Sequence, residues 1–174
     1  MVIVAVLIVA FAIFTSVWTD RLWYGSFGYA SVFSTMLLTR IGLFVAFGLI
    51  MATCVVANAA IAYRLRPRLG VQMPSSPLLE RYRELLESRF VWVLVAIGVV
   101  VGLFAGGAAS GRALEYLAWR NAQPFNVTDP RFGLDVGFFV FSYPWWRFVL
   151  SFAFAALVFS AIVASIVHYT MGGL

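Results

Sequence analysis

Charge is scarce in this 174-residue chain, where 11% of residues are Asp, Glu, Lys or Arg and 63% are hydrophobic. Soluble domains carry about 25% charged residues, so this balance excludes an ordinary water-facing globule and points to the bilayer as solvent. Lysine is absent altogether: all 12 basic residues are arginine. A single cysteine, Cys54, excludes an internal disulfide, and with His168 as the one histidine no Cys/His cluster has metal-ligand spacing. The chain also lacks a nucleophile elbow, a phosphate-binding loop, paired catalytic carboxylates and a zinc motif. No catalytic, cofactor-binding or metal residue is therefore expected, no cofactor is implied, and the chain is not read as an enzyme. A formal charge of +5 would suggest nucleic acid in a soluble domain. Here the arginines flank apolar runs, where they orient helices and meet lipid head groups, so membrane lipids are the expected partners and nucleic acid is not.

What is abundant is apolar length. A helix rises about 1.5 Å per residue, so about 20 apolar residues cross a hydrocarbon core of about 30 Å. Four runs fit or nearly fit, at about 2–18, 41–63, 90–110 and 148–169, and none contains Asp, Glu, Lys or Arg. Ala10-Phe11-Ala12 resembles a signal-peptidase site, but a basic segment before it is missing and the apolar run continues to Trp18. The predicted fold class is all-α: a polytopic transmembrane domain of four spanning helices, a cytoplasmic amphipathic helix and a long outer loop.

Orientation follows from the arginines, which stay preferentially on the cytoplasmic side. Six lie between Arg64 and Arg89, more densely than in the segments before and after. The N-terminus and residues 64–89 are thus expected in the cytoplasm of a bacterial cell membrane, with loops 20–40 and 111–147 outside. Trp18, Trp23, Tyr24, Trp145 and Trp146 would form an outer aromatic belt. Between the second and third runs, Leu78, Leu79, Tyr82, Leu85 and Leu86 recur at helical spacing behind Ser76-Pro77, which suits a helix start, with Glu80/Arg83 and Arg83/Glu87 spaced as surface pairs.

Inside the spans, Gly98, Gly102 and Gly106 repeat every four residues, and Gly107 and Gly111 repeat that spacing on an adjacent stripe. Glycine lets backbones approach closely, so both stripes are helix-packing candidates, within the chain or between copies. Asn58, one turn from Cys54, is a further packing candidate. In the outer loop, Asp129, Arg131 and Asp135 could form a local salt bridge or a cation or lipid head-group site, the salt bridge being the expectation. The following GFFVF run, containing Phe139, is too short to span and must be buried against lipid, helices or another domain. Asn126-Val127-Thr128 matches a glycosylation sequon, incidental in a bacterial protein.

The runs TDRLWYGSFGYASVFSTMLLTRIGLF and NVTDPRFGLDVGFFVFSYPWWRF, with HYTMGGL at the end, resemble the N-terminal membrane region of uncharacterised protein family 0182, large bacterial membrane proteins familiar in actinobacteria. The resemblance implies a longer parent, with about seven N-terminal helices and then a large extracytoplasmic domain, a parity that agrees with the arginine pattern. Members usually carry basic residues before the first helix, whereas this chain opens with MVIVAVLIVA. The family brings no assigned activity. The expected role is a membrane anchor and assembly domain, in a homo-oligomer or envelope complex that handles lipid or other hydrophobic cargo. The alternatives are a transporter or channel whose polar cavity reaches Asn58 or Thr53, and an outer-surface enzyme working through Asp129 or Asp135.

Overall fold

The structure, a computed structural model, describes the backbone of residues 1–65 and 77–170, and the side chains of that set except for residues 2 and 77–88. The elements are helical: α1 (Val2–Ser26), α2 (Ala30–Arg64), α3 (Pro77–Ser110), α4 (Ala113–Arg120), a five-residue π-helical turn (Phe138–Ser142) and α5 (Tyr143–Thr170). Among the described residues, four helices are long and apolar enough to cross a membrane, over Ile3–Ser26, Ala30–Arg64, Arg89–Ser110 and Phe138–Thr170.

The helices outrun the apolar stretches that announce them. Thirty-five residues make α2 about 50 Å long, against a hydrocarbon core of about 30 Å. Consequently the segment 20–40, expected as a loop, is almost entirely helical: α1 and α2 are joined by Phe27–Tyr29 alone. The chain reverses there because Gly28 adopts φ 78°. Its N–H bonds to the Gly25 carbonyl and that of Tyr29 to the Tyr24 carbonyl, closing the last turn of α1 as a glycine-terminated helix cap. Asp20 and Arg21 therefore ride on α1, and Arg40 on α2.

At the far end of the chain's second connection, the backbone is helical from Pro77 onward, and Arg89 breaks it with φ −125° and ψ 17°. The break separates the polar segment 77–88 from the span that follows. The apolar face and surface pairs expected over 78–87 lie outside the described side chains.

The core runs along α2. Leu43 packs with Ala109, Ala113 and Trp145; Met51 and Val55 pack with Ala156; Ala59 and Ala62 pack with Val167. Residue numbers rise together on α2 and α5 and fall on α3 where the two meet, so α5 runs parallel to α2 and α3 antiparallel. One end of the bundle thus gathers the 27–29 turn, α4, the segment 121–137 and the π-helical turn. The other end gathers Arg64, Arg89 and the end of α5. By contrast α1 touches α2 and buries none of its described apolar side chains.

The segment 111–147, expected as a loop, is partly helical: Gly111 and Arg112 form a turn and α4 starts afresh at Ala113. The GFFVF run is not a separate segment but leads into α5 through the π-helical turn, in which the Tyr143 N–H reaches back five residues to the Phe138 carbonyl. Pro144 accounts for this. It has no N–H for the Val140 carbonyl, and its ring would collide with that carbonyl in a regular α-helix; a wider turn moves the carbonyl aside.

Candidate functional site

The tightest contact in the bundle is the glycine face of α3 against α2. A methyl group placed on Gly106 would lie 2.6 Å from the Phe44 carbonyl oxygen, on Gly102 3.1 Å from the Gly48 oxygen, and on Gly48 2.9 Å from the Gly102 oxygen. These three positions have backbone against backbone, with no room for a side chain. Gly98 differs, since what a methyl would meet at 2.9 Å is the Val56 side chain. Gly107 faces open space, and Gly111 meets only carbonyls of its own helix, those of Ala108 and Gly107. The structure therefore seats one glycine stripe and leaves the adjacent one without a neighbouring helix among the described residues. Such close van der Waals contact is one of the forces that associate helices where the surroundings offer no hydrophobic incentive, as in a bilayer.

Asn58 points outward. Its amide donates to the Cys54 carbonyl at 2.8 Å, one turn back on the same helix, which satisfies the donor without a second helix.

At the loop end, polar side chains organise backbone. Asp129 Oδ1 accepts the N–H groups of Arg131 at 2.9 Å and Phe132 at 2.8 Å, which is the way aspartate shapes a turn. Asp135 Oδ1 accepts the N–H of Phe125 at 3.0 Å and of Gly137 at 2.6 Å, drawing the two ends of the segment together. An isolated antiparallel bridge joins Thr128 to Asp135. Asn126 (φ 57°) and Gly133 (φ 67°) supply the left-handed turns, and Gly137 is crowded by the Gln123 carbonyl and the Asp135 carboxylate. The Phe125 N–H, above all, lowers the Asp135 pKa; burial opposes it, and the N–H groups of Gly137, Asn126 and Val127 assist. The expected salt bridge does not form: Arg131 lies over the Phe132 ring at 5.8 Å, and one oxygen of each carboxylate, Oδ1, is engaged by backbone N–H groups. No group of His, Cys, Asp and Glu able to hold a metal occurs among the described residues.

This compact loop presents apolar side chains to its surroundings, with Val127 59% and Phe132 65% exposed and Phe125 and Leu134 also exposed. Phe139 is half-buried, its ring 5.9 Å from that of Phe132. Beneath lies an aromatic cluster that spacing did not reveal. Trp145 stacks with Trp119 at 5.9 Å and meets Phe47 and Tyr116 edge-on, tying α2, α4 and α5 together. It is 5% exposed and so belongs to the core rather than to the outer aromatic belt, whereas its neighbour Trp146 is exposed.

Two cavities flank the cluster. One of about 540 Å³ lies between α1, α2 and α4, with Asp20, Trp23, Phe33, Arg40 and Leu114 among its walls. The other, about 450 Å³, is walled by Arg112 and Glu115 on one side and by Tyr143, Arg147, Phe148 and Ser151 on the other. Arg112 donates to Glu115 Oε1 at 2.6 Å and lies over the Phe148 ring at 5.9 Å. Glu115 Oε2 is out of water and without a hydrogen-bond partner. The charged side chains of this second cavity were missed from sequence. Their signal was Arg147 at the mouth of the fourth apolar run and Arg112 just past the glycine ridge. Neither Thr53 nor Asn58 lines either cavity.

Comparison with known proteins places this arrangement in a lineage. The profile of an uncharacterised protein family (UPF0182) matches residues 1–174. A UPF0182 protein of Streptomyces coelicolor is 48% identical over 172 residues, covering 99% of this chain and 17% of that protein. One from Salinispora arenicola is 47% identical over 178 residues, with 99% and 18% coverage, and one from Mycobacterium leprae 36% over 171 residues, with 98% and 17%. The chain thus spans less than a fifth of the length of these relatives. No solved structure matches it. A helical chain with four membrane-length apolar helices, matched from end to end, belongs to the uncharacterised protein family UPF0182.

Proposed function

We propose that this chain is the membrane anchor and assembly module of a larger bacterial envelope protein that handles lipid or other hydrophobic material. The observation that carries the reading is the loop end. A segment folded tightly by its own carboxylates nevertheless exposes Val127, Phe132 and Leu134, as a docking surface does. Its occupant, on this reading, is the remainder of the longer protein, because relatives extend far beyond the part matched here. The arginine distribution supports an extracytoplasmic position for that surface, since Arg64 and Arg89 bound the arginine-rich segment at the opposite end. Assembly as a homo-oligomer would use the outward glycines, Gly107 and Gly111. The rival transporter reading finds less support, since the polar residues at depth, Thr53 and Asn58, line neither cavity. The enzyme reading fares similarly, because Asp129 and Asp135 are engaged by backbone.

The test is Phe132→Asp in the full-length protein. If the surface docks the remainder, the variant inserts normally but shows faster proteolysis between the membrane region and the rest, and a lower melting temperature in detergent. Parent-like proteolysis and melting would sink the docking idea. A defect that appears in lipid nanodiscs but not in detergent would instead mean that lipid covers this loop.

A further inference from the structure

Of the two cavities, the one between Arg112 and Arg147 has a charge pattern that the docking reading does not use. Arg112 is held in place by Glu115, whereas Arg147 has no hydrogen-bond or ion-pair partner among the described residues. The two guanidinium groups outnumber the single carboxylate, so the cavity is net positive, and the hydroxyls of Tyr143 and Ser151 add further donors. Its volume of about 450 Å³ falls within the range of small-ligand sites, about 300 to 1,000 Å³. It also sits at the level where head groups lie. Arg112 follows the end of α3 by two residues, and Arg147 immediately precedes the fourth apolar run.

A second observation fixes what hangs below. On the face of α5 that starts at Arg147, helical spacing of three and four leads through Leu150, Phe154, Leu157 and Val158, all exposed. From 147 to 158 is about 16 Å of helix, roughly half of a 30 Å hydrocarbon core. An anion-binding pocket thus opens onto an apolar track one leaflet long. The third observation is Glu115 Oε2, a carboxylate oxygen kept from water with no donor, which is costly until a donor arrives.

From these three we infer that the cavity is a phospholipid site: Arg147 and Arg112 bind the phosphodiester, the acyl chains lie along the exposed face of α5, and Glu115 accepts a hydrogen bond from a head-group hydroxyl or ammonium. Arginine suits the task, since its planar fork pairs with two phosphate oxygens at once. The inference does not depend on the docking reading, and the two tests share no variant.

Native mass spectrometry of the full-length protein, stripped of lipid in detergent, would test it, with phosphatidylglycerol, phosphatidylcholine and soluble glycerol phosphate as probes. The parent should take up phosphatidylglycerol at one strong site, and phosphatidylcholine, which has no head-group donor, several-fold more weakly. Arg147→Gln should weaken phosphatidylglycerol binding about tenfold, the scale of one lost charge-assisted hydrogen bond. Arg40→Gln, in the other cavity, should leave it unchanged, and Glu115→Gln should narrow the difference between the two lipids. Should Arg147→Gln fail to fold, Arg147→Lys carries the same test, with a smaller loss expected because the charge stays while the fork goes. Parent-like lipid binding by whichever variant folds overturns the site. Equal binding of the two lipids by the parent overturns the role of Glu115. Displacement of lipid by an equal concentration of glycerol phosphate overturns the lipid source and leaves a site for free phosphate.

Discussion

Alanine at Gly106 should separate α2 from α3, and the structure sets the size of the effect. The new methyl would lie 2.6 Å from the Phe44 carbonyl oxygen and 3.0 Å from its ring. Restoring ordinary contact at about 3.4 Å requires the helices to part locally by about 0.8 Å, a movement of backbone rather than of a side-chain tip. Overpacking of this kind costs about 1–3 kcal/mol. A clash at 2.6 Å against backbone belongs at the upper end of that range, about 2–3 kcal/mol, and alanine's better helix propensity returns up to about 1 kcal/mol, so the net loss should be about 1–3 kcal/mol. The control is one residue away: at Gly107 a methyl meets nothing within 4 Å, so Gly107→Ala should be neutral or stabilising by up to about 1 kcal/mol. Gly98→Ala should fall between, because only the Val56 side chain must move. Reversible unfolding in mixed detergent micelles measures all three. The reasoning is refuted if Gly106→Ala lies within about 0.5 kcal/mol of the parent, the scatter of innocuous surface changes, or if Gly107→Ala is as damaging as Gly106→Ala.

Acidification should loosen the outer loop. The Asp135 pKa is lowered in the fold, so its contribution is fully present above the unfolded value of 3.8 and is lost as pH falls through the lower folded value; protection of the Phe125 and Gly137 amides from hydrogen exchange should drop there, and Asp135→Asn should remove that acid step. If the parent's protection is flat down to pH 2, the carboxylate is not what closes the loop. Gly133→Val should destabilise the same loop by about 1–2 kcal/mol, since φ 67° is costly for any residue with a Cβ, although open space surrounds the site; a parent-like exchange pattern would count against that turn. For topology, cysteine at Ser75 in a Cys54-free background should resist an impermeant thiol reagent in intact cells while cysteine at Ser26 reacts, and the opposite pattern would invert the orientation.

The four spans and the all-helical class were legible because an apolar run of membrane length has few other uses. Helix ends were not, since hydropathy marks only the part meant for hydrocarbon; the glycine-terminated turn at Gly28 is written in GSFGY, a run that reads equally well as loop. The spacing of Gly98, Gly102 and Gly106 announced a close-packing face. Gly107 and Gly111 carry the same spacing without a partner, because periodicity identifies a stripe but not what lies opposite. Asp129 and Asp135 read as members of an ion pair, yet short acidic side chains near turns compete well for local backbone N–H groups, and these do. Trp145 and Trp146 are adjacent and chemically identical, and one is core while the other is exposed; the 100° between neighbours on a helix decides it.

The wide turn at Phe138–Ser142 has an angular consequence. Each residue of a regular helix turns the chain by about 100°, and a turn with hydrogen bonds spanning five residues instead of four accommodates an additional residue within nearly the same circumference. It therefore sets the azimuth at which the carboxylate-folded loop leaves the α5 axis. With Pro144 replaced as well, removing one residue, Val140 for example, would let a regular helix form only by swinging Asp135 and Gly137 through about a quarter-turn, away from Phe125 and α4. Single substitutions within the turn leave this bearing unchanged. A change in its length would re-aim the whole loop while the spans stayed where they are.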